Sequence, residues 1–391
     1  MASETLINSV NWPIEPSRSL DESSMENITV CDLRTAVEVH SDETVNVVWW
    51  TNVVCLPSIA FIGLACNILN ILILTSNRSA KRMPSWNLLL ALAICDCLFL
   101  IFAVVEVTPI SIGSLVAWPI FNFLYAHSVL YIRTLASTFY KTSVLIVVSF
   151  NLERYICVCH PLRSHRLCTT RASRMAIAFC IVISLLCSLQ WPICYQVQSC
   201  WDPSIQRYFY MVGLRSSPSL QLYYRSTDYL SLIGFNVLPI LILCTLNMKL
   251  IITLRKVVDQ DMARGSCCDT ENGGQFATGR TLLTNGALIS VLGTRSSTAQ
   301  RFNANAMLFA VVIMLLICVG PQALARLLFE YFGQYHSTAI AYTCITQQLV
   351  FLNAALNFCL YCLVSKRYRT LLKQTLKRLI GRANKYVSKA P

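Results

Sequence analysis

A carboxylate and a guanidinium stand side by side in Ser149-Phe150-Asn151-Leu152-Glu153-Arg154-Tyr155, at one end of an apolar stretch that runs from Phe121 to Val158. The stretch is long enough to cross a bilayer, so Glu153 and Arg154 belong at the membrane surface, where water and the opposite charge keep both ionised. The chemistry this allows is a breakable charged latch, not bond making. Snorkelling of Arg154 to lipid headgroups is the competing reading, and the triplet alone does not separate the two. Other apolar stretches carry polar marks of their own: Asn67, Asp96, Asn353 and Asn357. A polar side chain in hydrocarbon is costly unless a neighbouring helix supplies a hydrogen bond, so these four read as a network facing the inside of a bundle.

A second group lies toward the opposite membrane face. Glu106 is ten residues beyond Asp96, roughly 15 Å along a helix, and Arg133 precedes Arg154 by 21 residues, roughly 30 Å. Tyr140, seven residues after Arg133, falls on nearly the same helix face. This half reads as a pocket wall, in which Glu106 either pairs with Arg133 for structure or meets a ligand. No catalytic or metal-ligating constellation is expected, and no cofactor.

The elements that must position these residues are membrane spans. The 391 residues are 55% hydrophobic and 13% charged, and a mean hydropathy of +0.54 is beyond a soluble domain. Seven apolar stretches follow one another: Val47–Leu74, Trp86–Val107, Phe121–Val158, Met175–Val197, Tyr229–Leu254, Ala304–Phe329 and Thr338–Val364. The predicted fold is an all-α membrane protein, a seven-transmembrane helix bundle over 47–364 with a short amphipathic helix after it. Pro239 in the fifth stretch and Gly320-Pro321 in the sixth are expected to flex or kink their helices.

Residues 1–46 hold nine acids and two bases and read as a disordered tail. They contain the sequon Asn27-Ile28-Thr29, a glycan site if the tail is outside. The sequon Asn77-Arg78-Ser79 lies in a basic loop and is expected to be unused. No cleaved leader is expected, the first span acting as signal anchor. Residues 198–228 read as a polar outer segment with turns at Gly213 and Pro218, and 255–303 as a mobile loop. From Ser365 a basic amphipathic helix is expected to lie on membrane lipid and to stop at Gly381.

Lys and Arg assign the sides. Segments 75–85, 158–174, 249–303 and 365–391 hold 23, against 5 in 1–46, 109–120, 198–228 and 330–337. The positive side is cytoplasmic, which places the N-terminus outside and the C-terminus inside. Topology thus accounts for the net charge of +13 without a nucleic-acid partner. Of 19 cysteines most lie in the spans, and Cys31 and Cys200 are the two clearly in outer segments.

The joint order of Asn67, Leu92-Ala93 with Asp96, Glu153-Arg154-Tyr155, Pro239, Cys318 with Pro321, and Asn353, Asn357 with Tyr361 resembles the rhodopsin-like G-protein-coupled receptors over roughly residues 47–382. Within that family, Glu153-Arg154-Tyr155-Ile156-Cys157-Val158-Cys159-His160-Pro161-Leu162 followed by Leu167-Cys168-Thr169 resembles the invertebrate FMRFamide-like neuropeptide receptors. Departures from the family pattern are equally visible. No Cys occurs from Phe121 to Arg154 to pair with Cys200, Val319 stands where a Trp is usual, Phe358 where a Pro is usual, and the fourth span lacks its usual mid-membrane Trp. No Lys in the seventh span can hold a retinal Schiff base, and no Asp near Ala136 suits an amine.

The resemblance implies a plasma-membrane receptor without enzyme activity, activated by an extracellular peptide and coupled to a heterotrimeric G protein. Glu153 would hold Arg154 at rest, with Tyr155, Asn247 and Tyr361 at the coupling face and Asn67, Asp96, Asn353 and Asn357 as the relay. Glu106, Arg133, Tyr140, Arg326, Gln347 and Phe351 would line the ligand pocket. Cys200, lacking its usual partner, would either be free or bridge to Cys31, with Cys194 and Cys344 as lesser candidates. A chemosensory receptor for a non-peptide cue is the nearer alternative. A transporter is the more distant one, because seven unequal spans show no inverted repeat.

Overall fold

The computed structural model describes residues 42–81, 85–202, 206–270, 309–325, 337–364 and 366–387, with residues 328 and 331. Six helices are long and apolar enough to cross a membrane: α1 (Val45–Ser76), α2 (Trp86–Ser111), α3 (Pro119–Cys159), α4 (Thr170–Cys194), α5 (Pro218–Thr253) and α7 (Thr338–Leu363). A shorter apolar helix, α6 (Phe309–Ala325), is described between the last two. Helix α8 (Lys366–Val387) follows α7. In hydrocarbon each backbone amide has to be satisfied within its own segment, which is why runs of this composition become helices.

Local signals set the ends. Pro119 opens α3 and Pro218 opens α5 in first-turn positions where a missing N–H costs nothing. Thr169 caps α4 by accepting from the Ala172 amide at 3.2 Å. Pro239 follows a π-helical turn, Ile233–Val237, so the expected irregularity in α5 is present one turn early. Helix α6 remains helical through Gly320 and Pro321.

An inner core joins Leu92, Ile146, Leu243, Val319 and Phe358 from α2, α3, α5, α6 and α7. An outer core joins Phe99, Ala103, Ala136 and Phe351. Gly63 permits a close approach of α1 to α2 and α7: a Cβ there would stand 2.8 Å from the Ala355 Cβ and 2.6 Å from the Leu100 Cδ1.

Several expected boundaries are corrected. The outer segment after α4 is a β-hairpin, β1 (Tyr195–Asp202) against β2 (Arg207–Leu214), antiparallel with Cys200 opposite Phe209. Its Tyr, Phe, Val and Trp content suits a pleated, half-buried surface, and Gly213 lies within β2 instead of forming a turn. Pro218 starts α5 eleven residues before the expected Tyr229. The helix containing Pro239 continues to Thr270, through the first part of the segment read as a loop. Several of the residues added, Arg255, Lys256, Gln260, Met262, Ala263 and Arg264, are good helix formers. Likewise α8 passes Gly381 and ends at Val387. An isolated glycine inside a helix costs about 1 kcal/mol, too little to stop it.

One side chain of α3 hydrogen-bonds the hairpin on both sides of a single residue. The Asn122 Oδ1 accepts from the Tyr210 amide at 2.7 Å, and its Nδ2 donates to the Tyr210 carbonyl at 3.2 Å. The side chain thereby pairs with the edge of β2 as a further strand would. Phe123 meets the Tyr210 ring edge-on at 5.1 Å. Asn122→Ala is expected to leave both Tyr210 groups without this partner, at about 1–3 kcal/mol. The check is hydrogen exchange at the Tyr210 amide, which should accelerate severalfold or more while α3 stays protected.

Cys200 is disulfide-bonded. Cys194 and Cys344 are free, which removes both as partners. Cys31, Asn27 and Arg326 lie outside the described residues, as do 271–308.

Candidate functional site

At the hairpin end, helices α1 to α7 enclose a cavity of about 220 Å³. Glu106, Arg133, Tyr140, Gln347 and Phe351, all anticipated in the sequence, are in its lining. The Arg133 Nε donates to the Glu106 Oε1 at 2.7 Å, and both side chains are largely buried. Of the two roles open to Glu106, the geometry therefore shows the pairing with Arg133. The guanidinium also lies 4.8 Å from the centre of the Trp191 ring, and the Tyr125 hydroxyl donates to the Glu106 carbonyl. Phe99 stacks obliquely at 5.5 Å on both Tyr140 and Phe351, making one aromatic wall.

The lining also holds residues that spacing did not single out. The Tyr140 hydroxyl donates to the Asn236 Oδ1 at 3.0 Å and approaches the Gln322 Oε1 at 3.5 Å. Lys141, buried in α3, donates to the Cys187 carbonyl at 2.9 Å and to the Ser188 Oγ at 3.2 Å, where α4 breaks its regular course. A lysine at a carbonyl end of a helix opposes the negative pole of the dipole. Asp228 is a second carboxylate in the lining. It stands one residue before the expected fifth span, and only the early start at Pro218 shows that it belongs to the helix wall.

Midway through the bundle, the Asp96 Oδ1 accepts from the Ser143 Oγ at 2.6 Å and its Oδ2 from the Asn357 Nδ2 at 2.8 Å. One carboxylate so joins α2, α3 and α7. The Asn67 Nδ2 donates to the Ala354 carbonyl at 2.9 Å and to the Gly63 carbonyl at 3.0 Å, tying α1 to α7. Asn353 is buried one turn before Asn357. Tyr361 is buried one turn after it, its ring 5.6 Å from that of Tyr368 in α8.

At the inner end, the Glu153 carboxylate of the expected latch is engaged by two serines. The Glu153 Oε1 accepts from the Ser85 Oγ at 3.1 Å, and its Oε2 from the Ser173 Oγ at 3.4 Å. The Arg154 guanidinium lies 5.5 Å from the Phe150 ring centre. Adjacent residues on a helix point about 100° apart, so a carboxylate drawn toward α2 and α4 is carried away from its neighbour. The Asn247 Nδ2 donates to the Leu243 carbonyl at 2.7 Å and reaches the Asn151 Oδ1 at 3.5 Å, linking α5 to α3 close to Arg154. Tyr155 meets His160 edge-on at 5.7 Å. The second sequon is closed to modification in this arrangement: the buried Asn77 Nδ2 donates to the Thr375 Oγ1 at 2.7 Å, and its Oδ1 accepts from Arg378 at 3.0 Å. Among the described residues no group of three or more His, Cys, Asp and Glu could hold a metal ion.

Residues 63–361 match the family model described as "7 transmembrane receptor (rhodopsin family)". The chain belongs to that family. It is a multi-pass membrane receptor and not an enzyme. The receptor is 29% identical over 195 residues to somatostatin receptor type 5 of Rattus norvegicus, a match that covers 50% of this chain and 49% of that protein. It is 23% identical over 322 residues to the allatostatin-A receptor of Bombyx mori, covering 81% of this chain and 77% of that one. With the FMRFamide receptor of Drosophila melanogaster it shares 28% over 145 residues, 35% of this chain and 25% of that one.

Proposed function

We propose that this receptor is activated by an extracellular peptide whose C-terminal end enters the outer cavity, and that it acts on a heterotrimeric G protein at the face bearing Arg154. The observation that carries the reading is the composition of the cavity: an aromatic wall, two carboxylates, two cations and several carboxamides enclosed by helices beneath a hairpin. Its volume of about 220 Å³ is below the roughly 300–1,000 Å³ of pockets that enclose a drug-sized molecule, so it suits the end of a chain. Similarity to receptors for somatostatin, allatostatin-A and FMRFamide supports a peptide over an odorant.

An FMRFamide-like ligand ending in Arg-Phe-amide fits this chemistry. Its phenyl ring suits the wall of Phe99, Tyr140 and Phe351, and its guanidinium suits a carboxylate addressed through two parallel N–H groups. Arg133 and Lys141 balance Glu106 and Asp228, so selection rests on geometry rather than on net attraction. The excess of Lys and Arg on the Arg154 side supports an N-terminus outside and a plasma-membrane orientation with Arg154 inside. It also supports Asn27 as a glycan site and Cys31, an outer thiol, as the partner of Cys200. In this reading Asp96, Asn67, Asn353 and Asn357 relay the change to Tyr361, Asn247 and Tyr155.

The test is nucleotide exchange on G protein in membranes containing the receptor, with amidated Arg-Phe peptides, other amidated peptides and a panel of volatile compounds. A peptide response at submicromolar concentration is expected. A response confined to the volatile compounds would favour a chemosensory receptor.

A further inference from the structure

Most polar groups of the outer cavity are engaged within the protein. Arg133 is bonded to Glu106, Tyr140 to Asn236, and Lys141 to the broken end of α4. Two neighbouring residues in the lining, Gln190 and Trp191, differ. The Gln190 side chain is 2% exposed, and its Oε1 is buried with no hydrogen-bond partner. The Trp191 Nε1 is likewise buried with no partner. Buried polar groups are overwhelmingly satisfied, so an orphaned acceptor and an orphaned donor on consecutive residues of one cavity call for an explanation. The Trp191 ring lies against Arg133, Tyr195 and Tyr224, with centroids 5.4 and 5.9 Å from the two tyrosines. Its N–H is thus fixed in direction at no further cost on binding.

We propose that Gln190 and Trp191 form the subsite that selects a neutral carboxamide at the end of the ligand, its N–H donating to the Gln190 Oε1 and its carbonyl accepting from the Trp191 Nε1. This rests on the peptide reading above and adds to it the residues that distinguish an amidated terminus from a free acid. The chemistry discriminates by mismatch. A carboxylate has acceptors only, so one oxygen would face the Gln190 Oε1 while that acceptor stays unsatisfied. A hydrocarbon end would leave both orphans buried. A primary carboxamide satisfies both at once, and a site built around hydrogen bonds rejects an analogue lacking them far more strongly than an apolar pocket rejects a missing methylene.

The test uses the tetrapeptide FMRFamide, its N,N-dimethylamide and its free acid on the full-length receptor, with nucleotide exchange as the readout. The wild type is expected to prefer the amide over the acid by roughly a hundredfold, and the dimethylamide, which has no N–H, is expected to fall close to the acid. In Gln190→Leu and in Trp191→Phe, which keeps an aromatic ring under Arg133, the amide-to-acid ratio is expected to shrink to under roughly tenfold. Taking the ratio within each variant cancels differences in the amount of folded receptor. If Gln190→Leu does not reach the surface, Trp191→Phe and the dimethylamide on the wild type still decide the matter. Activation by FMRFamide with an unchanged ratio in the variants, or with amide, dimethylamide and acid equal on the wild type, overturns the assignment and leaves the peptide reading standing. No activation by any of the three peptides overturns the assignment and the FMRFamide-like ligand with it, while a response to the other amidated peptides would keep the broader peptide reading.

Discussion

Replacing Arg154 with alanine is expected to abolish G-protein activation while surface expression and ligand binding stay close to wild type. The structure gives Glu153 hydrogen-bond partners other than Arg154. The carboxylate of Glu153 is held by Ser85 and Ser173, so it keeps these bonds when the guanidinium is removed. What is lost is a half-buried cation resting on Phe150 at the inner end of α3, beside the Asn151–Asn247 contact between α3 and α5. Agonist and G protein are coupled only through a state both prefer, so deleting the inner contact removes output without changing the outer site. Nucleotide exchange under saturating agonist, set beside a surface-binding assay on the same cells, measures both halves. Full exchange by Arg154→Ala would sink the switch assignment.

The second large effect is expected at Glu106. In Glu106→Gln the Arg133 guanidinium loses its charge partner in a site where both side chains are largely buried, and breaking such a pair from one side costs about 3–5 kcal/mol. That is a large part of the roughly 5–15 kcal/mol that holds an ordinary folded protein together. Surface expression and the thermal midpoint in detergent should both fall. The double variant Glu106→Gln with Arg133→Gln should recover most of the loss, because two neutral amides satisfy each other where one amide and one cation do not. A single variant as stable and as abundant as wild type would show that the pair contributes little. With ligand specificity carried elsewhere in the cavity, the double variant should still respond to peptide.

Much of the architecture is legible in the residues. Asp96, Asn67 and Asn357 announce themselves because a polar side chain in an apolar run has few reasons to be there, and the structure finds each bonded to another helix. Glu106 and Arg133 are placed at one depth by the 1.5 Å rise of a helix, and they meet. Composition misleads where the tertiary context overrides it. Gly213 and Pro218 looked like turn residues, yet one sits in a strand of the hairpin and the other starts a helix. Gly381 looked like a stop, yet the amphipathic helix continues past it while Tyr368, Thr375 and Arg378 contact α1 or the residue that follows it.

The sequence by itself determined the number of apolar spans, the depth of each polar mark and the charge asymmetry between the two sides, because hydrophobic length and helical rise are one-dimensional properties. Only the tertiary structure decided which groups meet. Glu153 bonds Ser85 and Ser173, and Asp228 joins the cavity wall. Gln190 and Trp191 end up buried without partners beside groups that have them. These outcomes depend on how far each helix is rotated and shifted against the next, and that is set by packing across the whole bundle rather than by spacing along the chain.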